Sequence, residues 1–188
     1  MKAMITGHTR GLGLSIANKF IACGHTVTGY SLSNGFDIAN LSDREKILSQ
    51  AHEHDIFINN AYDQDGQIDL LKKFIKDWDG TNKIIVNISS KLSLCSPEFF
   101  PNFKNYILAK QAQNEIFANR VIVDTPRMLN ILVGLVNTDM SSDFESKKID
   151  PVDIANLIYN MIELKDKISV QQLTIDVPGL DWRTLTGS

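Results

Sequence analysis

The chain has 188 residues, 43% of them hydrophobic and 22% charged, enough for one domain that buries about 70% of its unfolded surface. Its net charge of -3, with Lys and Arg dispersed along the chain, leaves no basic footprint and so excludes nucleic acid and anionic membrane as expected partners. No apolar run approaches the roughly 20 residues of a membrane helix and no signal-peptide pattern opens the chain, so a soluble, cytoplasmic protein acting on a small molecule is expected.

Lys2 to Thr6 is a short apolar run that leads into a glycine-rich turn, after which Leu14, Ile16, Ala17, Phe20 and Ile21 mark one face of a helix. His25 to Tyr30 alternates like a strand, a further short strand is expected near Phe36 to Ile38, and Leu41 to His52 reads as a helix with Ser42 as its cap and Glu45 three positions on. Asp55 to Asn59 is a buried-strand run, Ile68 to Trp78 has helical spacing, and Lys83 to Ile88 is apolar and β-branched. Tyr106 to Asn119 predicts a helix, Met128 to Gly134 a strand, Pro151 to Leu164 a helix with proline in its first turn, and Gln172 to Val177 a last strand. This alternation predicts a doubly wound α/β domain spanning residues 1–188, with a mostly parallel sheet of about seven strands, helices on both faces and ligands beyond the strands' C-terminal ends. Asp139 to Asp150 is polar enough for a loop that acts as a lid. Cys23 and Cys95 lack metal-ligand spacing, and His52 and His54 face apart at a helix end, so reduced thiols, solvated histidines and no metal are expected.

The first strand ends in Thr6-Gly7-His8-Thr9-Arg10-Gly11-Leu12-Gly13 and runs straight into the first helix. Gly7 can turn sharply, Gly11 lets the backbone approach a pyrophosphate, Gly13 permits close packing, and the helix N-terminus aims amide donors at the anion. The spacing resembles the TGxxxGxG of the short-chain dehydrogenases/reductases. Asn59-Asn60-Ala61-Tyr62 is similar to that family's NNAG, with Tyr62 at the glycine, and Asn87-Ile88-Ser89-Ser90 to its serine-bearing strand end. Tyr106 and Lys110 supply its YxxxK, and Asn130 to Met140 resembles its N-xx-PG-xxx-T-x-M, with Val133 at the proline but Gly134, Thr138 and Met140 retained. Ile175-Asp176-Val177-Pro178-Gly179 resembles its last strand and the following turn.

The resemblance covers almost the whole chain and implies a Rossmann fold, a nicotinamide dinucleotide cofactor and an oxidoreductase. It implies that Thr6, Gly7, Thr9, Arg10, Gly11, Leu12 and Gly13 cradle the cofactor. It also puts Asp37 and Ile38 by the adenine, Asn60 and Ala61 along the adenosine ribose, and Thr138 near the carboxamide. Family members pair through the tyrosine-bearing helix and the preceding one, which implies a homodimer or homotetramer. The end of the second strand, Tyr30-Ser31-Leu32-Ser33, offers hydroxyls and no acidic residue for a ribose 2′-hydroxyl, while Arg10 can pair with a phosphate. NADP(H) is therefore favoured, with NAD(H) open. Arg10 and Ser31 also read as an ordinary surface charge and turn residue.

Tyr106 and Lys110, four apart on a helix, share a face, so an ammonium beside the phenol is expected to lower its pKa and make Tyr106 the general acid/base. Lys110 would also hold the nicotinamide ribose. Ser90 is the candidate to hydrogen-bond the carbonyl oxygen, with Ser89 and Ser93 as competitors. Between Tyr62 and Lys83 the chain is shortened, with most of a site-lining helix expected to be missing and no clear equivalent of the family's fourth catalytic residue, an asparagine. Asp63 or Gln64 could take its place, or form a polar turn capping the next helix. Phe99 and Phe100 could line an apolar pocket, and Asp181 and Trp182 could cover the site or pack at a subunit contact. Two functions are consistent with these residues: a carbonyl reductase or alcohol dehydrogenase, and a nucleotide-binding regulatory or scaffold protein that keeps the fold without efficient catalysis.

Overall fold

A computed structural model describes residues 1–120 and 125–180; Asp181 and Trp182 lie outside the described residues. Among those described, six strands form one parallel sheet in the order β2-β1-β3-β4-β5-β6: β1 (Lys2–Thr6), β2 (Thr26–Tyr30), β3 (Ile56–Asn59), β4 (Ile84–Ser90), β5 (Arg127–Val133) and β6 (Gln172–Ile175). Among the described residues five α-helices connect them: α1 (Gly11–Ala22), α2 (Leu41–Ser49), α3 (Gly66–Asp77), α4 (Lys104–Ala118) and α5 (Pro151–Glu163). Every residue of β3 and β4 is buried, the pattern of strands covered on both faces, whereas the edge strands β2 and β6 are partly exposed.

The period of two in the strands divides the interior into two cores. Ile56, Ile58, Ile84, Val86 and Ile131 face α1 and α5, while Met4, Phe57 and Ile85 face the other side with Leu70, Phe74 and Trp78 of the α3 segment and Phe117 of α4. There the Phe57 and Phe74 rings stack at 3.7 Å. Because β2 and β3 flank β1 on opposite sides, the chain reverses its direction of winding at the ends of β1 and β3, and a crevice opens there.

The sequence expectations fail at several places for local reasons. No strand forms at Phe36 to Ile38. A 3₁₀ turn, Leu32–Asn34, is closed by Asn34, whose Oδ1 accepts from the Ser31 N–H at 2.7 Å, and Gly35 follows in the left-handed conformation at φ +85°. Asp37 Oδ1 then accepts the Ala39 N–H, so side-chain bonds bend the backbone and leave β2 at the sheet edge. Asn40, not Ser42, caps α2 by accepting the Ser42 N–H at 3.0 Å. On α1 the buried stripe is Leu12, Gly13, Ile16, Ala17 and Phe20, with Leu14 and Ile21 turned outward. His54 is buried, its ring bonded to the Gln50 carbonyl and the Thr28 hydroxyl, while His52 is exposed.

After Tyr62 the connection is short: residues 63–65 lead directly into α3, a helix of 12 residues. Gly66 makes this possible, since a Cβ there would stand 2.1 Å from the Ile38 carbonyl oxygen. Asp63 Oδ1 accepts the Gly66 N–H at 2.6 Å and so starts the helix, which leaves Asp63 as a turn residue.

Candidate active site

The glycine turn occupies the crevice between the ends of β1 and β3. Gly7 and Gly11 adopt φ of +71° and +54°, and a Cβ on Gly13 would stand 2.1 Å from the Gly7 carbonyl oxygen and 2.6 Å from Asn60 Nδ2. Only glycine lets α1 come this close to the turn. Thr6 is fully buried, and its hydroxyl accepts the N–H groups of Asn60 and Ala61, both at 3.0 Å. Asn60 returns Nδ2 to the Thr6 carbonyl at 3.0 Å, so these two residues lock the turn to the segment after β3. Around the turn, Thr9 and Arg10 are exposed, Leu12 is buried, and the Thr138 methyl would lie 3.1 Å from a Cβ on Gly11.

Ser31 is buried and bonded to Ser33 and Asn34, Asp37 is exposed, and Ile38 is buried with its carbonyl oxygen accepting from Arg44 at 2.6 Å. Arg44 also pairs with Asp69 of α3 at 2.7 Å, holding the 37–39 segment against that helix. Gly134 packs on the end of β6, where a Cβ would stand 2.3 Å from Asp176 Oδ1, and Asp176 is itself paired with Lys91 just beyond β4.

Ser90, Tyr106 and Lys110 converge where β4 ends. The Ser90 hydroxyl accepts the Leu92 N–H at 3.2 Å and lies close enough to the Tyr106 hydroxyl to favour its phenolate. Ser89 instead donates to Asn114 at 3.0 Å, and Ser93 donates to the Ser90 carbonyl and accepts from Asn114 at 2.6 Å, which distinguishes the three serines by their partners. The Tyr62 and Tyr106 rings meet edge to face at 4.8 Å, with Lys110 Nζ 5.4 and 5.6 Å from their centroids. Phe100 is buried in the loop before α4, and Phe99 is exposed.

The electrostatics differ from the expectation that Lys110 lowers the Tyr106 pKa. Burial raises Tyr106 above the usual phenol value, with the nearby Ser90 hydroxyl opposing it. Lys110 is buried and pushed down to about 7, because removing its ammonium from water disfavours the charge that was to act on Tyr106. Between about pH 7 and the pKa near 10.4 of a free lysine, the unfolded chain carries a proton that the folded chain has lost. The stability of the ligand-free protein is therefore expected to rise from pH 7 to pH 9 by about 1 kcal/mol per unit. Urea unfolding at both pH values checks this against Lys110→Met, in which the rise should flatten; equal slopes would show that Lys110 does not titrate in this window.

Beneath Lys110 lies a layer of buried amides that the sequence reading overlooked. Asn59, Asn87 and Asn130 occupy the same register on β3, β4 and β5. Asn59 Nδ2 donates to Asn87 at 3.0 Å, and Asn87 Nδ2 to Asn130 at 3.0 Å and to Gln113 of α4 at 3.1 Å. Gln67, also fully buried, accepts from Lys110 Nζ at 2.7 Å. A signal was available: Gln67 falls on the same helical stripe as Leu70, Leu71 and Phe74, where a polar residue needs a buried partner.

No family model matches the chain, and no curated protein matches it in sequence. Solved structures do match. A 3-ketoacyl-(acyl-carrier-protein) reductase from Brucella melitensis, complexed with NADH, aligns at a TM-score of 0.76 and 17% identity over 93% of this chain and 96% of its own. A short-chain dehydrogenase from Burkholderia cenocepacia in complex with NADP aligns at 0.74 and 16% identity over 99% of this chain and 90% of its own. An alcohol dehydrogenase from the archaeon Thermococcus sibiricus, complexed with 5-hydroxy-NADP, aligns at 0.74 and 18% identity over 93% and 95%. Aligned with these structures over more than nine-tenths of its length, this protein has the fold of the short-chain dehydrogenases/reductases.

Proposed function

We propose that the chain is an oxidoreductase that interconverts a small carbonyl compound and its alcohol, using NADP(H) in preference to NAD(H). The observation that carries this reading is the convergence of Ser90, Tyr106 and Lys110 at the strand end beside the glycine turn. The dinucleotides bound by the structural neighbours support the cofactor class.

The residues present fit such a cofactor. The turn of Gly7, Gly11 and Gly13 has no room for added side chains, as a cradle for a pyrophosphate requires, and α1 begins directly at it. Arg10, exposed at this turn and joined by no acidic residue at the end of β2, would take a 2′-phosphate, with Ser31 beside the adenosine ribose. Asp37, Ile38, Asn60 and Ala61 would border the adenosine half, and Thr138 and Lys110 the nicotinamide half.

When bound, the reduced nicotinamide supplies a hydride to the carbonyl carbon and the oxidised form takes one from the alcohol. In reduction Tyr106 gives its hydroxyl proton to the carbonyl oxygen, and in oxidation its phenolate accepts the alcohol proton. Burial keeps Tyr106 protonated near neutrality, the state needed for reduction, and Ser90 steadies both the carbonyl oxygen and the phenolate left behind.

A fluorescence titration of the protein with NADPH and then NADH tests the cofactor without a choice of substrate. Tighter binding of NADPH is expected. Tighter NADH binding overturns the cofactor preference alone, and binding of neither overturns the reading. Tight binding without cofactor oxidation across a broad carbonyl panel would select the regulatory or scaffold function.

A further inference from the structure

Burying a lysine amine is costly unless its donors are met. Lys110 Nζ has two acceptors at hydrogen-bond distance, Gln67 Oε1 at 2.7 Å and the Ile88 carbonyl oxygen at 2.8 Å. The amide of Gln67 is fixed from its other end. Its Nε2 donates to the main-chain carbonyls of Asn59 at 3.0 Å and Ile88 at 3.1 Å. Carbonyl oxygens cannot donate, so nitrogen must face the two strands and oxygen must face α4. There Oε1 also accepts from Gln113 Nε2 at 3.2 Å. Flipping the amide would break all four bonds. The Ile88 carbonyl receives both Gln67 and Lys110, which clamps the start of α3 and the first turns of α4 onto one point of β4.

Resting on the reading of Tyr106 and Lys110 as the reacting pair, we propose that Gln67 is the positioning residue of Lys110, a neutral oxygen that holds the amine at a fixed place beneath Tyr106. Neutrality is the informative part. The titratable groups facing the amine are Tyr106 from α4 and Tyr62 from the segment after β3, and among the described residues no carboxylate pairs with it. From β4 it meets only the Ile88 carbonyl, and from α3 only Gln67. A glutamate of the same length at position 67 would fix a charged amine there, whereas glutamine sets its location and leaves its charge free to change near neutrality, consistent with the lowered Lys110 pKa.

The test uses two variants and a readout that needs no turnover. The ¹³Cε resonance of Lys110, assigned by its loss in Lys110→Met, is followed through a pH titration of the whole protein. In Gln67→Glu its midpoint should move up by about one unit or more, since a carboxylate favours the ammonium. In Gln67→Met it should move down, since the charged form loses an acceptor. Either folded variant decides the matter: a midpoint within about 0.2 units of the wild type overturns the inference, even if turnover is normal. With a carbonyl substrate, kcat of Gln67→Met should fall about tenfold or more with KM little changed, and the pH midpoint of Gln67→Glu turnover should move with that of Lys110. A shifted resonance in a protein that turns over no substrate would instead overturn the oxidoreductase reading and leave the contact between Gln67 and Lys110 standing.

Discussion

Tyr106→Phe is expected to lower kcat by about a thousandfold, within the range a positioned general acid contributes, while leaving cofactor affinity within about threefold of wild type. The substitution removes only the hydroxyl, whose pKa the nearby Ser90 lowers. The ring remains, and so does its edge-to-face packing on Tyr62 at 4.8 Å, so the fold should lose less than about 1 kcal/mol. The contrast between turnover and binding makes the experiment specific. If kcat and affinity fell together, Tyr106 would be a binding residue, and if kcat stayed at the wild-type value, the proton would come from elsewhere. Single-turnover reduction with bound NADPH, beside a fluorescence titration of the same variant, separates these outcomes.

Gly13→Ala should be the more damaging change, although it adds a single methyl group. In an ordinary helix interior the substitution stabilises by about 1 kcal/mol, because alanine has less backbone freedom to lose. Here the new Cβ would sit 2.1 Å from the Gly7 carbonyl oxygen and 2.6 Å from Asn60 Nδ2. The first of these is main chain in a turn already held at positive φ, and the second donates to the Thr6 carbonyl. Neither can yield cheaply, so overpacking of about 1–3 kcal/mol outweighs the gain in propensity. The start of α1 must then move away from the turn, and NADPH affinity is expected to fall by about a hundredfold or more as the donors of the helix end lose their aim. Thermal unfolding and NADPH titration of the variant measure the two effects separately. Undiminished affinity would show that the turn does not hold the pyrophosphate.

The strands and helices were legible where apolar residues recur at a regular period, as in Lys2 to Thr6 and Ile84 to Ile88, and the alternation of types was enough to predict a parallel sheet. What escaped was structure made by side chains bonding to backbone. Asn34 and Asp37 fold back on their own neighbours and replace the strand expected at Phe36 to Ile38, and Asn40 takes the cap expected of Ser42. Propensity does not register such local competition. In the site, Tyr106, Lys110 and the glycines stood out because each falls in a short motif whose residues lie within a few positions of one another. Gln67 did not, since its meaning depends on a lysine 43 positions away that only the tertiary fold brings within reach. The electrostatic expectation failed for a related reason: the spacing of Tyr106 and Lys110 says which groups meet, whereas burial decides how much charge the lysine keeps.

The row of Asn59, Asn87 and Asn130 has a further consequence for how the sheet is assembled. Each amide meets its counterpart only when the three strands are aligned at that level. A slip of one residue would turn asparagines into the apolar cores and isoleucines toward the amides, stranding several buried polar groups at about 1–3 kcal/mol apiece. Hydrophobic runs such as Ile56 to Ile58 and Ile84 to Val86 discriminate poorly between such alignments, because one apolar residue resembles the next. The asparagines act as a combination lock: many pairings would bury enough hydrocarbon, and only one closes the row and brings the strand tips out level with each other.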